Sequence, residues 1–270
     1  MKHWKIIVVG LICLLIGGMI GNVWPVNQLT ASSNQATNQS RRPLIFVPGS
    51  GGTQESYNRM LQTLNRTKQH SILKITVADN GDLKVTGKLK SGDKKPLMVV
   101  AFVNNADGDQ NVALQTALFK TTLRQLEKRY HFKQFDGVGY SNGGLVLTQF
   151  AEQDSHRTAL KRLMTIGTPY NDLNPKASQK SAMLKSLLAD RKKLSKQLTV
   201  FSLGNIVEGD SDGIVPISSV LAGRQIFTNQ VAHFTTLMTN DPQAAHTELI
   251  DNQTIIWFVK RVMINRETPI

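Results

Sequence analysis

The chain has 270 residues, which is enough for one sizeable domain with a proper hydrophobic core. Its 32 basic and 19 acidic residues give a formal net charge of +13, so that either an anionic partner surface or a simply solvated basic surface is expected. The single cysteine excludes an internal disulfide framework. With 6% aromatic residues, no zinc-finger spacing and no aromatic RNA-binding signature, the chain is not expected to bind nucleic acid.

The first forty residues differ sharply from the rest. Lys2 and Lys5 precede an apolar run from Ile6 to Ile20, and no charged residue occurs from Ile6 until Arg41. Basic residues before an apolar run predict an N-terminus inside the cell and a C-terminal bulk outside. We therefore predict a signal peptide or signal anchor over residues 1–25, a disordered polar linker over 26–41 and a folded domain over 42–270 at the cell surface or secreted.

The folded part opens with a buried strand followed by a glycine-rich loop. The unbroken apolar run at 43–47 is typical of a parallel strand, and Pro48-Gly49-Ser50-Gly51-Gly52 follows it. Such a loop brings backbone N–H groups close to a ligand, and in α/β hydrolases it supplies one oxyanion donor. We assign that donor to the N–H of Ser50. A phosphate-binding loop or a plain turn are the alternatives, but no Lys-Ser/Thr follows as a P-loop requires.

The stretch from this loop to residue 130 has the pattern of alternating strands and helices. Apolar spacing predicts a helix over 53–66 and a long amphipathic helix over 111–130. Alternation around Asp79-Asn80-Gly81-Asp82 predicts a hairpin over 71–89, and the apolar residues 96–103 predict another buried strand.

Residues 135–148 (FDGVGYSNGGLVLT) contain the pattern Gly-x-Ser-x-Gly between an apolar run and a helical run. This is the layout of a nucleophile elbow, in which Ser141 lies on a tight strand-to-helix turn and the backbone N–H of Asn142 supplies the second oxyanion donor. The pentapeptide is a weak motif on its own, because Ser141 could equally be an ordinary helix-capping residue. An acid and a base in the right order are needed to support it.

An acidic loop supplies the candidate acid. A strand predicted at 163–170 is followed by a basic helical segment, 176–196, which is either a lid or an ordinary surface helix. The next strand, 198–203, leads into Glu208-Gly209-Asp210-Ser211-Asp212-Gly213-Ile214-Val215-Pro216. We prefer Asp212 as the acid, because Asp-Gly, an apolar pair and Pro216 make a fixed turn. Asp210 and Glu208 are next, and calcium binding is an alternative although the EF-hand spacing is absent.

Histidine order supplies the candidate base. The order Ser, Asp, His leaves His233 and His246. His233 lies within a predicted final strand, where a lone histidine is usually structural. His246 follows the loop Asn240-Asp241-Pro242-Gln243 and precedes a helix predicted over 247–262, so we prefer it; a surface histidine at a helix start is the alternative.

Taken together, several segments resemble one family. They are Phe46-Val47-Pro48-Gly49, Gly139-Tyr140-Ser141-Asn142-Gly143-Gly144, Ile166-Gly167-Thr168-Pro169-Tyr170-Asn171, Ser211-Asp212-Gly213-Ile214-Val215-Pro216 and Ala245-His246-Thr247-Glu248-Leu249. Over residues 42 to 262 the chain is similar to the lipase-like α/β hydrolases of Gram-positive bacteria that are classed as cell-surface hydrolases of uncharacterised function. Pro48 departs from the histidine common at its position, and Asn142 from a frequent methionine or glutamine.

The resemblance implies an α/β-hydrolase fold, with a mostly parallel sheet flanked by helices, and a carboxylesterase or lipase-like activity. It implies Ser141 as nucleophile, Asp212 as acid and His246 as base, with no cofactor and no metal. The expected substrate is a small-molecule or lipid ester, and an anionic cell-envelope surface is a possible partner. A hydrolase-fold surface protein that binds anionic wall polymer or lipid without turnover is the alternative.

Overall fold

The computed structural model describes residues 41–153, 160–176 and 178–267. The predicted signal peptide or anchor, residues 1–25, and the linker up to residue 40 lie outside these ranges. No helix within the described residues is both long and apolar enough to span a membrane. Residues Ser40–Ile270 form one compact unit.

The strands are four to seven residues long, and those at the centre of the sheet are rich in apolar residues. They are β1 (Leu44–Val47), β2 (Ile72–Val77), β3 (Leu83–Thr86), β4 (Leu97–Phe102), β5 (Phe135–Tyr140), β6 (Leu160–Ile166), β7 (Tyr170–Leu173), β8 (Thr199–Asn205) and β9 (His233–Thr239). All except β7 join one sheet in the order β3-β2-β4-β1-β5-β6-β8-β9. Only β3 is antiparallel to its neighbour within this sheet, since it is the second strand of the predicted hairpin.

Helices cover both faces of the sheet. They are α1 (Asn58–Leu64), α2 (Asp109–Tyr130), α3 (Asn142–Gln153), α4 (Ala182–Asp190), α5 (Ile217–Leu221), α6 (Gly223–Phe227) and α7 (Gln253–Val259). One hydrophobic cluster joins the sheet to α2, α3, α4 and α6, and a second joins its other face to α1 and α7. A parallel sheet buried on both faces needs this three-layer arrangement. The predicted α/β-hydrolase architecture is thus present.

Two predicted helices are shorter or more divided than expected. The basic segment predicted over 176–196 is helical in α4 and in the 3₁₀ turn that follows it, Arg191–Lys193. Ser181 caps the start of α4 by accepting a hydrogen bond from the N–H of Leu184 at 3.1 Å. The final helix, predicted over 247–262, is a 3₁₀ turn (His246–Asp251), then α7, then a π turn (Lys260–Ile264). Asn252 divides it, because its side chain caps α7 by accepting from two backbone N–H groups.

The parallel strands run in one direction, so all their carboxyl ends lie on one side of the sheet and all their amino ends on the opposite side. We call the loops that follow the carboxyl ends of the parallel strands the carboxyl edge, and the loops that precede their amino ends the amino edge. After β1 the chain moves to one side of the sheet, and after β5 it moves to the other. The crevice between the carboxyl ends of β1 and β5 is therefore a topological switch point, where ligands bind in open α/β sheets.

Candidate active site

Ser141 lies between β5 and α3, at the switch point. Its φ of +52° is in the left-handed region, which costs a non-glycine residue roughly 1–2 kcal/mol. The turn is possible because the flanking glycines let strand and helix approach closely: a Cβ on Gly139 would lie 2.5 Å from the carbonyl oxygen of Gly143, and a Cβ on Gly143 would lie 2.2 Å from that of Val47. The local geometry is that of the predicted nucleophile elbow.

The structure brings Ser141, His246 and Asp212 together over a sequence separation of more than one hundred residues. The Nε2 atom of His246 lies 3.1 Å from Ser141 Oγ, and its Nδ1 atom lies 2.7 Å from Asp212 Oδ2. Both His246 and Asp212 are buried. In the tautomer with the proton on Nδ1, the imidazole donates to the carboxylate and leaves Nε2 able to accept the serine proton.

The Asp212 carboxylate is fixed by its own turn. Its Oδ1 atom accepts hydrogen bonds from the N–H groups of Ile214 at 3.1 Å and Val215 at 2.8 Å. Its backbone carbonyl accepts from the N–H of His246 at 2.8 Å, which ties the two loops together. The competing carboxylates, Asp210 and Glu208, are exposed and make no contact with His246 among the interactions of the described residues. Asp212 is therefore the acid that the fold places on the imidazole.

Tyr140 supports His246 from the side of the elbow. Its hydroxyl donates to the carbonyl oxygen of His246 at 2.7 Å, and the two rings lie 5.2 Å apart between centroids. Burial, reinforced by the negative charges of Asp212 and Glu248, raises the pKa of the Tyr140 hydroxyl well above its usual range. Tyr140 therefore remains a neutral hydrogen-bond donor at physiological pH.

The two predicted oxyanion donors, the N–H groups of Ser50 and Asn142, belong to residues that line the same pocket. Neither N–H group donates a hydrogen bond to another atom of the described residues. For Asn142 this follows from its place as the first residue of α3, where no intrahelical acceptor is available. Both donors are free for a ligand, as an oxyanion site requires.

A side-chain cluster links the two loops that hold these donors. The amide of Asn142 donates to Asp107 Oδ1 at 2.6 Å and to Ser50 Oγ at 2.7 Å. Asp107 Oδ1 also accepts from the hydroxyl of Ser50 at 3.2 Å and from the N–H of Gly108 at 2.8 Å. This cluster fixes the spacing of the two oxyanion loops. It also shows why asparagine is suited to position 142: a methionine could not make these bonds.

The site opens into a pocket of about 340 Å³. Its apolar wall consists of Val112, Leu145, Pro169, Leu173, Ile214 and Val215. This volume is at the lower end of the range for small-molecule sites, which fits a modest ligand. Within the described ranges no three His, Cys, Asp or Glu side chains form a group that could hold a metal ion.

Comparisons with known proteins identify the family of the chain. Residues 31–266 match the family described as alpha/beta hydrolase of unknown function (DUF915). The chain belongs to this family. A search of curated proteins gives no match.

Solved structures with the same fold include relatives of this α/β hydrolase. It is 36% identical to the "putative cell surface hydrolase" of Lactobacillus plantarum WCFS1, with a TM-score of 0.76 over 85% of this chain and 94% of that one. It is 28% identical to the lin2722 gene product of Listeria innocua, with a TM-score of 0.77 over 85% and 96%. A lipase-esterase related protein of Clostridium acetobutylicum ATCC 824 shares the fold at 13% identity and a TM-score of 0.50, over 83% and 93%.

Two contributors to the site of this α/β hydrolase, Asp107 and Tyr140, were not predicted from the sequence. Asp107 follows β4, which is next to β1 in the sheet, so its position at the carboxyl edge was a usable signal. Tyr140 precedes the nucleophile in the strand, and the sequence gives no sign that its hydroxyl contacts His246. The alternative base, His233, lies at the start of β9, exposed and at the opposite edge of the sheet.

Proposed function

We propose that the chain is an exported or surface-anchored serine hydrolase that cleaves carboxylic esters through an acyl-enzyme. The observation that supports this most directly is the continuous chain of contacts Ser141–His246–Asp212 at the mouth of a pocket that also presents two free backbone N–H groups. This constellation of nucleophile, base, orienting acid and oxyanion donors defines acyl transfer irrespective of sequence.

In the first half of the reaction, His246 Nε2 takes the proton from Ser141 as Oγ bonds to the ester carbonyl carbon. The carbonyl oxygen becomes an oxyanion and accepts from the N–H groups of Ser50 and Asn142. Each such donor contributes on the order of 10²–10³ in rate. Asp212 stabilises the imidazolium. The bond from carbon to the alcohol oxygen then breaks, and the alcohol leaves with the proton from His246.

In the second half, water replaces the alcohol. His246 takes a proton from the water molecule, whose oxygen bonds to the acyl carbon, and the same two N–H groups stabilise the second oxyanion. The bond to Ser141 Oγ breaks, the serine regains its proton and the carboxylic acid leaves. Every proton is returned, so that the cycle needs no cofactor.

Labelling by a fluorophosphonate probe tests the nucleophile. The full chain is expected to be labelled, and Ser141→Ala is expected to remain unlabelled, whereas Ser91→Ala, which changes an exposed serine of the amino edge, is expected to label normally. Absence of labelling in the folded wild-type protein, together with no hydrolysis of short-chain aryl esters, would remove the enzymatic proposal.

For the location we propose the outer surface of the cell. The charge pattern of residues 1–25 supports it, and so does the printed description of the Lactobacillus plantarum relative as a cell surface hydrolase. Protease added to intact cells is expected to digest the domain. Full protection that ends only on lysis would contradict this location.

One observation favours the alternative of a non-catalytic surface protein. The loops of the amino edge are strongly basic, as anionic polymer or lipid binding requires. A binding protein of this kind has no need for a reactive serine, so the fluorophosphonate experiment separates the two: labelling at Ser141 favours the hydrolase, and its absence favours the binding protein.

A further inference from the structure

Three carboxylates line the pocket that contains Ser141: Asp107, Asp109 and Asp172. No lysine or arginine is among the residues that line it, and none of the three carboxylates takes part in an ion pair within the described part of the chain. The space around the proposed nucleophile is therefore negative, in a protein whose overall charge is +13.

The three carboxylates act on one another as well as on the pocket. Partial burial raises the pKa of Asp172, and the charges of Asp109 and Asp107 raise it further. Asp107 already accepts hydrogen bonds from Asn142 and Gly108. Asp172 also has a side-chain hydrogen bond, from Ser181. None of these partners is charged, so the negative charge of the three carboxylates is left for a positively charged ligand to compensate.

The backbone holds Asp172 at the pocket in a costly conformation. Its φ is +52°, which an aspartate adopts with strain, and the conformation is held by two bonds. The N–H of Asp172 donates to Pro169 O at 3.0 Å, and its carbonyl accepts from the buried hydroxyl of Ser219 at 2.7 Å. The backbone of Asp172 is thus held in place beside the pocket that this residue lines.

The rest of the pocket wall restricts the kind of cation. Val112, Leu145, Leu173 and Ile214 give it an apolar surface, and no metal-binding group of side chains exists within the described ranges. The carboxylates do not converge on one point, and the wall beside them is apolar. Such a pocket suits an organic ammonium group, which is a positively charged nitrogen with alkyl substituents.

We propose that this enzyme prefers esters that carry an ammonium group over neutral esters of the same shape. The proposal rests on the proposed esterase function and specifies its substrate class. For a ligand charge about 8 Å from each of two carboxylates that have no ion-pair partner, an effective dielectric constant of about 60 corresponds to a preference of roughly tenfold in kcat/KM.

Matched ester pairs measure the preference directly. Acetylcholine and 3,3-dimethylbutyl acetate differ only in nitrogen for carbon, and place the charge on the alcohol. Aryl esters of 4-(trimethylammonio)butyrate and 5,5-dimethylhexanoate place it on the acyl group. With the full chain and a pH-stat readout, at least one pair is expected to give a ratio of about ten at low salt, falling towards one in 1 M NaCl because the Debye length is then about 3 Å.

Variants assign the effect to the pocket. The double change Asp109→Asn/Asp172→Asn is expected to reduce the ratio to about two, since each neutral amide keeps the shape of the carboxylate. The matched control is Asp79→Asn/Asp82→Asn, which removes two exposed carboxylates from the β2–β3 turn at the same edge of the sheet but outside the pocket. It is expected to keep the ratio near ten.

Hydrolysis of the neutral esters distinguishes failure of the ammonium preference from failure of the proposed esterase activity. Hydrolysis of the neutral esters with ratios of one or less for both pairs overturns the ammonium preference and leaves the esterase standing. A ratio that is equal in wild type and Asp109→Asn/Asp172→Asn likewise overturns it. If no ester is cleaved and the fluorophosphonate probe does not react, the esterase proposal fails, and the preference fails with it.

Discussion

The two edges of the sheet have opposite charge. The segment that follows α7 contacts Lys95 and Asp136 and so lies at the amino edge as well. Basic residues of the described amino-edge loops and of this segment are Arg41, Arg42, Arg66, Lys68, Lys88, Lys90, Lys94, Lys95, Lys133, Arg191, Lys192, Lys193, Lys196, Lys260, Arg261 and Arg266, whereas Asp93 and Glu267 are the acidic ones. The carboxyl edge is the reverse. Its acidic residues are Glu55, Asp79, Asp82, Asp107, Asp172, Glu208, Asp210, Asp212, Asp241, Glu248 and Asp251, and in its described loops the basic ones, apart from histidine, are Lys176 and Lys180.

The difference shows that the net charge alone does not predict which ligands each edge of this protein attracts. The net charge of +13 has the same sign as the amino edge, where the chain enters the domain at Arg41. It has the opposite sign to the carboxyl edge, where the proposed chemistry takes place. Since the parallel sheet separates the edges by the length of its strands, one surface can attract anions while the other attracts cations. Substitutions of the same kind at the two edges are expected to have different effects.

The largest contrast is expected between two histidines. His246→Ala at the carboxyl edge removes the proposed base and is expected to lower kcat by about 10³-fold or more. His233→Ala at the amino edge is expected to leave turnover within about twofold, because the side chain is exposed. Ester hydrolysis by both purified variants checks this. Normal activity of His246→Ala with loss in His233→Ala would reverse the assignment.

Two buried aspartates give the second contrast. Asp212→Asn is expected to lower kcat by roughly 10²–10⁴-fold, since an amide cannot hold the imidazole in the required tautomer. Asp136, at the amino end of β5, is fully buried and pairs with Arg42, with Arg266 at 3.9 Å. Asp136→Asn leaves these cations without their carboxylate and is expected to cost about 3 kcal/mol of stability.

Urea unfolding and activity per folded molecule separate the two outcomes. Asp212→Asn should change activity far more than the unfolding midpoint, and Asp136→Asn should do the opposite. If Asp136→Asn lowered kcat while its unfolding midpoint stayed at the wild-type value, the functional separation of the edges would be wrong.

The burial of Lys95 among the cations of the amino edge gives a pH-dependent prediction. Burial, together with Arg266, lowers the pKa of Lys95 from 10.5 to about 8. Between these values the unfolded chain still holds the proton and the folded protein does not, so that stability rises as the pH increases from 8 to 10.5. The contribution is about 1–2 kcal/mol after allowance for partial exposure.

The comparison with Lys95→Gln isolates this contribution, because all other titrating groups are shared. Wild type is expected to gain stability relative to the variant over this pH interval, measured by urea unfolding at several pH values. Parallel stability curves for the two proteins would show that the amino edge does not depress the pKa of Lys95.

Much of the fold and the site could be predicted from local pattern. Apolar runs place β1 and β4 within one residue at each end, because buried parallel strands are continuously apolar. Ser141, Asp212 and His246 could be chosen by order along the chain, and the structure places their side chains in contact. The resemblance added the expected fold but not the substrate.

The features that could not be predicted from local sequence pattern depend on which strands are neighbours in the sheet. The link from Asp107 to Asn142 requires β4 and β5 to flank β1, which is a property of topology. The opposed charges of the two edges follow from the same fact: acidic and basic loops alternate along the chain, and only the parallel sheet sorts them onto opposite edges. The division of the final helix was also missed, because Asn252 as a cap interrupts an otherwise helical spacing.

The smallest predicted effect concerns the anionic surface partner, for which we propose the amino edge. Lys133→Gln/Lys192→Gln removes two exposed charges there, and Lys176→Gln/Lys180→Gln removes two exposed charges from the carboxyl edge. Binding of fluorescent polyphosphate to the full chain in neutral detergent, followed by anisotropy, is expected to weaken about fivefold in the first variant and less than twofold in the second. The two variants have the same net charge, so any difference between them arises from where the charges lie. Equal weakening would mean that the affinity for polyphosphate depends on net charge alone, and the amino edge would then not be the binding surface.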